Sequence, residues 1–215
     1  MKQSSVISVN NLIEIEQCGG GRACAGIAAS GERLINGLRS LSERLDGRVA
    51  ASGEAFGPHR KFRISLSFCT NGCSRPQISD IGIIGAVTVR VDAGACTGCG
   101  ACVAACRENA LVLDGPTVSV SDTRCLFCGD CLCGCPFDAL LPGATGFKVL
   151  LGGKLGRHPR LGMELPGIYT EHDIIEIVSH SYHLYASYPP DVRFGDIIEK
   201  RELGWLPDKP AADRI

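Results

Sequence analysis

The chain has 215 residues with 22 Lys and Arg against 23 Asp and Glu, a net charge of −1, and 13 cysteines. That balance argues against nucleic acid as the main partner, because such binding leans on a basic excess. A chain this long builds a core without cross-links, so its cysteines do not belong to a small disulfide-stapled secreted scaffold. The start, Met1-Lys2-Gln3-Ser4-Ser5, carries no secretory pattern, and the longest apolar-leaning run, Ile81 to Val89, is far short of the roughly 20 residues that span a bilayer. The expectation is a soluble, cytoplasmic protein without a membrane span, in a reducing compartment where clustered cysteines hold metal.

Along the chain, Ile27, Leu34, Leu38, Leu41 and Leu45 recur at helical spacing, predicting an amphipathic helix from Gly26 that ends at Gly47. Ala50 to Pro58 reads as a loop. Phe62, Ile64, Leu66 and Phe68 alternate with Arg63, Ser65 and Ser67, the period of a half-buried strand. Val87 to Val91 predicts a second strand and Phe147 to Leu151 a third, closed by Gly152-Gly153. Ile174, Ile175, Val178, Tyr182 and Tyr185 mark a late helix, and Ile197 to Arg201 a short final one. Strands and helices mix without regular βαβ alternation, so the host is expected to be α+β.

Residues 91–142 break this pattern and are read as an insert between host segments 1–90 and 143–215. They hold Cys-x2-Cys-x2-Cys-x3-Cys twice, at Cys96, Cys99, Cys102, Cys106 and at Cys125, Cys128, Cys131, Cys135. Gly100 and Gly129 follow the second cysteine of each run, and Ala110-Leu111 and Ala139-Leu140 follow the runs themselves. The insert is acidic, with Asp92, Glu108, Asp114, Asp122, Asp130 and Asp138 against Arg107 and Arg124. Zinc prefers ligands in separated pairs, whereas two matched runs suit iron–sulfur clusters. The segment resembles a bacterial-type 2[4Fe-4S] ferredoxin. That resemblance implies one cluster on Cys96, Cys99, Cys102 and Cys135, and another on Cys125, Cys128, Cys131 and Cys106. Pro136 follows the second run as the pattern expects, and Arg107 replaces it after the first. Cys133 is surplus.

Four cysteines remain in the host, Cys18-x5-Cys24 and Cys69-x3-Cys73, both in glycine-bearing turns. They are either buried structural thiols or a third metal site. Several segments are similar to the sulfite and nitrite reductases that carry siroheme and [4Fe-4S]. These are the two cysteine pairs, Phe68 to Pro76 with Asp80 to Gly85, Lys148 to Arg160, and Arg193-Phe194-Gly195-Asp196. A ferredoxin insert is typical of the dissimilatory and anaerobic branch of that family. The resemblance implies a sulfite-reductase-like mixed domain and three [4Fe-4S] clusters. Cys18, Cys24, Cys69 and Cys73 would hold the third cluster, and Cys73 would bridge to the siroheme iron. Asn71 belongs to that motif. Arg75, Lys154, Arg157 and Arg160 are its candidates for the macrocycle's carboxylates, and Arg22, Arg60, Lys61 and Arg63 for the substrate anion.

The implied reaction is six-electron reduction of sulfite, or of nitrite, with electrons from a donor protein entering at the acidic insert. Only 17 residues precede Cys18, where relatives carry a further N-terminal lobe, and Cys18-Gly19-Gly20 stands where Cys-Pro-Gly is commoner. Three expectations follow: a partner subunit that supplies the lobe, a minimal reductase, or a haem-free three-cluster carrier of electrons.

Overall fold

The structure is a computed structural model that describes residues 5–9, 13–19, 29, 31–50, 61–189 and 191–200. Strands β1 (Ser5–Val9), β2 (Ile13–Gln17), β3 (Phe62–Ser67), β4 (Ile81–Val91), β7 (Leu140–Leu151) and β8 (Met163–Glu164) form one sheet, ordered β1-β2-β3-β4-β7-β8. β2, β3 and β4 run parallel to one another, and the outer pairings are antiparallel. Between β4 and β7 lie helix α2 (Ala101–Ala105), the hairpin β5 (Leu111–Asp114) and β6 (Thr117–Val120), and helix α3 (Asp130–Cys133). Helix α1 (Glu32–Ala50) precedes β3, and α4 (Glu171–Ala186) and α5 (Phe194–Glu199) follow β8.

Period-2 alternation gives the sheet two distinct faces. One carries Ile13, Ile15, Phe62, Ile64, Leu66, Ile81, Ile83, Phe147, Val149 and Leu151, all buried beneath the helices. The α1 stripe Leu34, Leu38, Leu41 and Leu45 packs there with Ile174, Ile177, Val178 and Tyr182 of α4. Thr170 begins α4 with a reciprocal capping box to Asp173, which satisfies two N-terminal N–H groups that would otherwise lack partners. The Phe62 ring packs edge-on against Phe194 and Tyr182, with centroids 5.0 and 5.8 Å away. The opposite face presents Ser65 and Ser67 of β3, Gly82 and Ile84 of β4, Lys148 and Leu150 of β7, and Glu164 of β8. Ladder register puts Ser67, Ile84 and Lys148 in one row.

The mixed architecture is the predicted one, with several boundaries moved. α1 begins at Glu32 rather than Gly26 and runs past Gly47 to Ala50. A Cβ at Gly31 would stand 2.6 Å from the Phe68 ring, so Gly31 is pressed on the core while its carbonyl accepts the first helical bond, from Ile35 N–H. One interior glycine costs a helix only about 1 kcal/mol, which a buried leucine stripe offsets. The predicted loop at Ala50 to Pro58 lies outside the described residues beyond Ala50. The second and third strands are longer than expected, because β4 and β7 pair continuously from Ile81↔Leu151 to Val91↔Leu140, with a bulge between Val87 and Val89. The final helix starts at Phe194, before the predicted Ile197.

Candidate metal centre

The segment between Val91 and Leu140 has internal two-fold symmetry. The shift that carries Cys96 to Cys125 also carries Val91 to Val120 and Leu111 to Leu140, and the ladder pairs Val91 with Leu140 just as it pairs Leu111 with Val120. Gly100 and Gly129 open α2 and α3 at φ +74° and +80°, a conformation that costs glycine little. Each helix then delivers the third cysteine of its run. Asn109 and Asp138 match at φ +51° and +50°. Behind each fourth cysteine a backbone amide donates to sulfur, Ala110 N–H to Cys106 Sγ and Ala139 N–H to Cys135 Sγ, both at 3.3 Å.

The fourth cysteine of the second run lies with the first three of the first run. A cavity is lined by Cys96, Cys99, Cys102 and Cys135, with Leu113, Val118 and Phe137 closing its sides. Burial pushes the Cys131 thiol up to about 11, reinforced by Cys128, Cys125 and Cys106, which face it. Burial also raises Cys102 and Cys128, whereas the Phe137 backbone N–H lowers Cys135. Among the described residues no three Cys, His, Asp or Glu side chains close on a point as they would around one ion. The first set instead lines a cavity wall, the geometry suited to a cubane held at its corners. Cys133 is exposed on α3.

The second run also meets the six-stranded sheet through a loop contact. Beyond Ile84, β4 no longer pairs with β3, and Val87 N–H donates to the Phe127 carbonyl at 2.9 Å. Phe127 lies between Cys125 and Cys128 at φ +59°, and its N–H donates to Cys125 Sγ at 3.4 Å. Lys148 Nζ sits 4.8 Å from the Phe127 ring centroid. A Cβ at Gly129 would come within 2.6 Å of Val87 Cγ1, so this contact requires glycine.

Cys18 and Cys69 follow the carboxyl ends of the adjacent parallel strands β2 and β3, where open sheets place ligands. Cys18 N–H donates to Leu66 O at 2.9 Å, and Cys18 is buried while Cys73 is exposed. Three buried serines fold the Cys69–Cys73 loop back over the sheet. Ser65 Oγ donates to Ser74 O (2.5 Å), Ser74 Oγ donates to Leu66 O (2.9 Å), and Ser67 Oγ meets Ser74 Oγ at 2.7 Å. With Ser74 held inward, Asn71, Cys73 and Arg75 are all exposed. Asn71 Nδ2 donates to Cys73 Sγ at 3.1 Å, and Arg75 is held left-handed at φ +57°. A Cβ at Gly82 or Gly85 would collide with the Pro76 or Phe68 carbonyl. Gly82 lets Pro76 lie against the face that carries Ser65 and Ser67, and Gly85, of opposite parity, lets the Phe68 backbone pass close to β4 on the other face. Cys24, Arg22 and Arg60 are outside the described residues.

The basic candidates divide. Arg63 is exposed on the face that carries Ser65 and Ser67, one alternation further along, roughly 7 Å. Lys61 is half-buried just before β3. Lys154 and Arg160 pair through both backbone N–H groups at the base of a loop whose tip exposes Arg157 and His158. Both already have partners. Lys154 is ion-paired with Asp196, and Arg160 bonds Glu199 at 2.7 Å and the Gly195 carbonyl. The Lys154 hydrogen bond holds Asp196 below the usual carboxylate range. Asp80 opens the Asp80–Gly85 motif, and its half-buried carboxyl accepts from Arg63 N–H at 2.9 Å, with the Arg63 and Arg193 charges nearby. Sequence reasoning missed this role for Asp80, and it missed Lys148 and Glu164, ion-paired at 2.7 Å. The signal for the pair was present as a lone Lys within Phe147-Lys148-Val149-Leu150-Leu151.

Paired cysteine runs folded into symmetric thiol sets define an iron–sulfur protein. Residues 8–207 match the family model described as the nitrite and sulphite reductase 4Fe-4S domain, and the chain belongs to that family. It is 38% identical over 146 residues, 67% of this chain, to a coenzyme F420-dependent sulfite reductase of Methanocaldococcus jannaschii, covering 24% of that protein. It is 33% identical over 97 residues, 45% of this chain, to a subunit of the anaerobic sulfite reductase of Salmonella typhimurium, covering 25% of that polypeptide. The matched regions thus amount to about a quarter of either relative. Its fold is shared with dissimilatory sulfite reductase I (TM-score 0.56, 17% identity, 95% of this chain and 56% of that one). It is also shared with Mycobacterium tuberculosis NirA (TM-score 0.50, 17% identity, 90% and 26%).

Proposed function

We propose that the chain is the electron-carrying and catalytic portion of a sulfite reductase, holding three [4Fe-4S] clusters and one siroheme and working with a partner subunit. Residues 91–142 form the ferredoxin module and residues 1–90 and 143–215 the host. The observation that carries this reading is spatial. The Ser74-anchored cysteine loop and the Phe127 loop of the second run lie on one face of one sheet, linked by the row Ser67, Ile84, Lys148. Two strand spacings separate the row's ends, about 10 Å.

Cys18, Cys24, Cys69 and Cys73 would hold the host cluster, and the two crossed sets the others. When bound, these groups would supply one-electron carriers and an iron able to take the sulfur of sulfite. The chain's own residues do the remaining work. Asn71 directs an N–H at Cys73 Sγ and orients that thiolate. Exposed Arg75 and Arg157, with Arg63 on the same face as the loop, offer cations for macrocycle carboxylates and a substrate anion. The acidic surface of the insert would receive a basic donor protein. Nitrite remains the alternative substrate.

One observation favours a haem-free carrier instead: Lys154 and Arg160 have their own carboxylates and so less capacity for those of siroheme. The visible spectrum of anaerobically purified wild type, and of Cys73→Ser, decides between the two. Sharp red haem bands that vanish with Cys73→Ser, together with sulfite reduction, support the proposal. Broad cluster absorption alone in the wild type selects the carrier, and haem bands with activity surviving Cys73→Ser overturn the bridging role.

A further inference from the structure

Lys148 occupies an unusual position for an ammonium group. It lies in strand β7, between β4 and the short edge strand β8, with the side chain only 13% exposed, on the sheet face that carries the Cys69–Cys73 loop. Its Nζ is 4.8 Å from the centroid of Phe127, whose own N–H donates to Cys125 Sγ. Its carboxylate partner, Glu164, is 51% exposed and screened by water. The positive end is therefore the better sheltered of the two.

We propose that Lys148 is a positioning residue that sets the reduction potential of the centre held by Cys125, Cys128, Cys131 and Cys106. This rests on the reading that these four thiols hold a cluster. The ammonium is anchored from one side by Glu164 and from the other by the negative face of the Phe127 ring, so it stays beside the Cys125–Cys128 loop. Reduction adds negative charge to the centre. A fixed cation in a poorly screened site stabilises that charge and raises the potential. The effect falls on the second run because Phe127 belongs to it, whereas the equivalent residue in the first run, Gly98, has no ring. The second centre, with the higher potential, would then be the electron-accepting side of the pair.

The test is an EPR-monitored redox titration of the whole anaerobic chain. Cys131→Ser identifies the second centre by the signal it removes, and if no signal or iron is lost, the cluster reading itself fails. Lys148→Met should shift only that signal to a more negative potential, Glu164→Gln should shift it upward, and Lys148→Arg should leave it near the wild-type value. If the signal persists and Lys148→Met leaves its potential unmoved, or if Lys148→Arg shifts it as far as Lys148→Met does, the role assigned to Lys148 is wrong and the residue only joins β7 to β8.

Discussion

Burial pushes the Asp80 carboxyl up to about 6 from an ordinary value of 3.8, against the pull of the Arg63 N–H, Arg63 and Arg193. The folded state thus holds this proton more tightly than the unfolded chain. Its contribution is fully present below the ordinary value and is lost as pH rises through about 6, up to about 3 kcal/mol in all. Asp80→Asn keeps an acceptor for the Arg63 N–H and removes the titration. Denaturant unfolding between about pH 5 and 7.5 should show wild-type stability falling while the variant's slope is flatter. Parallel slopes would place the carboxyl in solvent. At this scale the repeated cysteine spacing stood out in the sequence, and the place of Cys135 beside the first run was expected from the ferredoxin resemblance. Lys148, Asp80 and the Lys154–Asp196 pair were not, because each depends on residues that are neighbours only through the sheet.

The Cys69–Cys73 loop depends on contacts that leave no room for a side chain on β4. Gly82→Ala drives a methyl group into the Pro76 carbonyl, an overpacking worth about 1–3 kcal/mol. It should loosen the host site while leaving the crossed sets alone. Measured iron should then fall toward about eight atoms per chain, the content of two clusters, with both ferredoxin EPR signals intact. Unchanged iron and unchanged thermal stability would show that the loop does not depend on this contact. Elements with a strong repeating pattern were legible, including α4, β3 and the duplicated cysteine runs. β2 escaped notice because only Ile13 and Ile15 mark its buried face. The β5–β6 hairpin escaped because it borrows its core, Leu111 and Val118, from cysteines and from Leu140. The full length of β4 and β7 was hidden because their pairing brackets the insert, across nearly the whole span between Val91 and Leu140.

For the molecule as a whole, the sheet is the organising element. Helices seal one face, and the other carries the Ser74-anchored cysteine loop, the Phe127 loop and Lys148 between them. The α+β class was open to reading from the chain alone. The parallel pairing of β2, β3 and β4, which brings Cys18 to Leu66 at the end of β3, was not, because no local pattern encodes which distant strands meet. The central claim is that the chain gathers twelve thiols around iron in three sets of four. Iron, zinc and acid-labile sulfide measured on protein purified without exposure to air test it directly. Three complete sets predict about twelve irons with matching sulfide and negligible zinc per chain. About eight irons or fewer in fully folded protein, or zinc in their place, would contradict it.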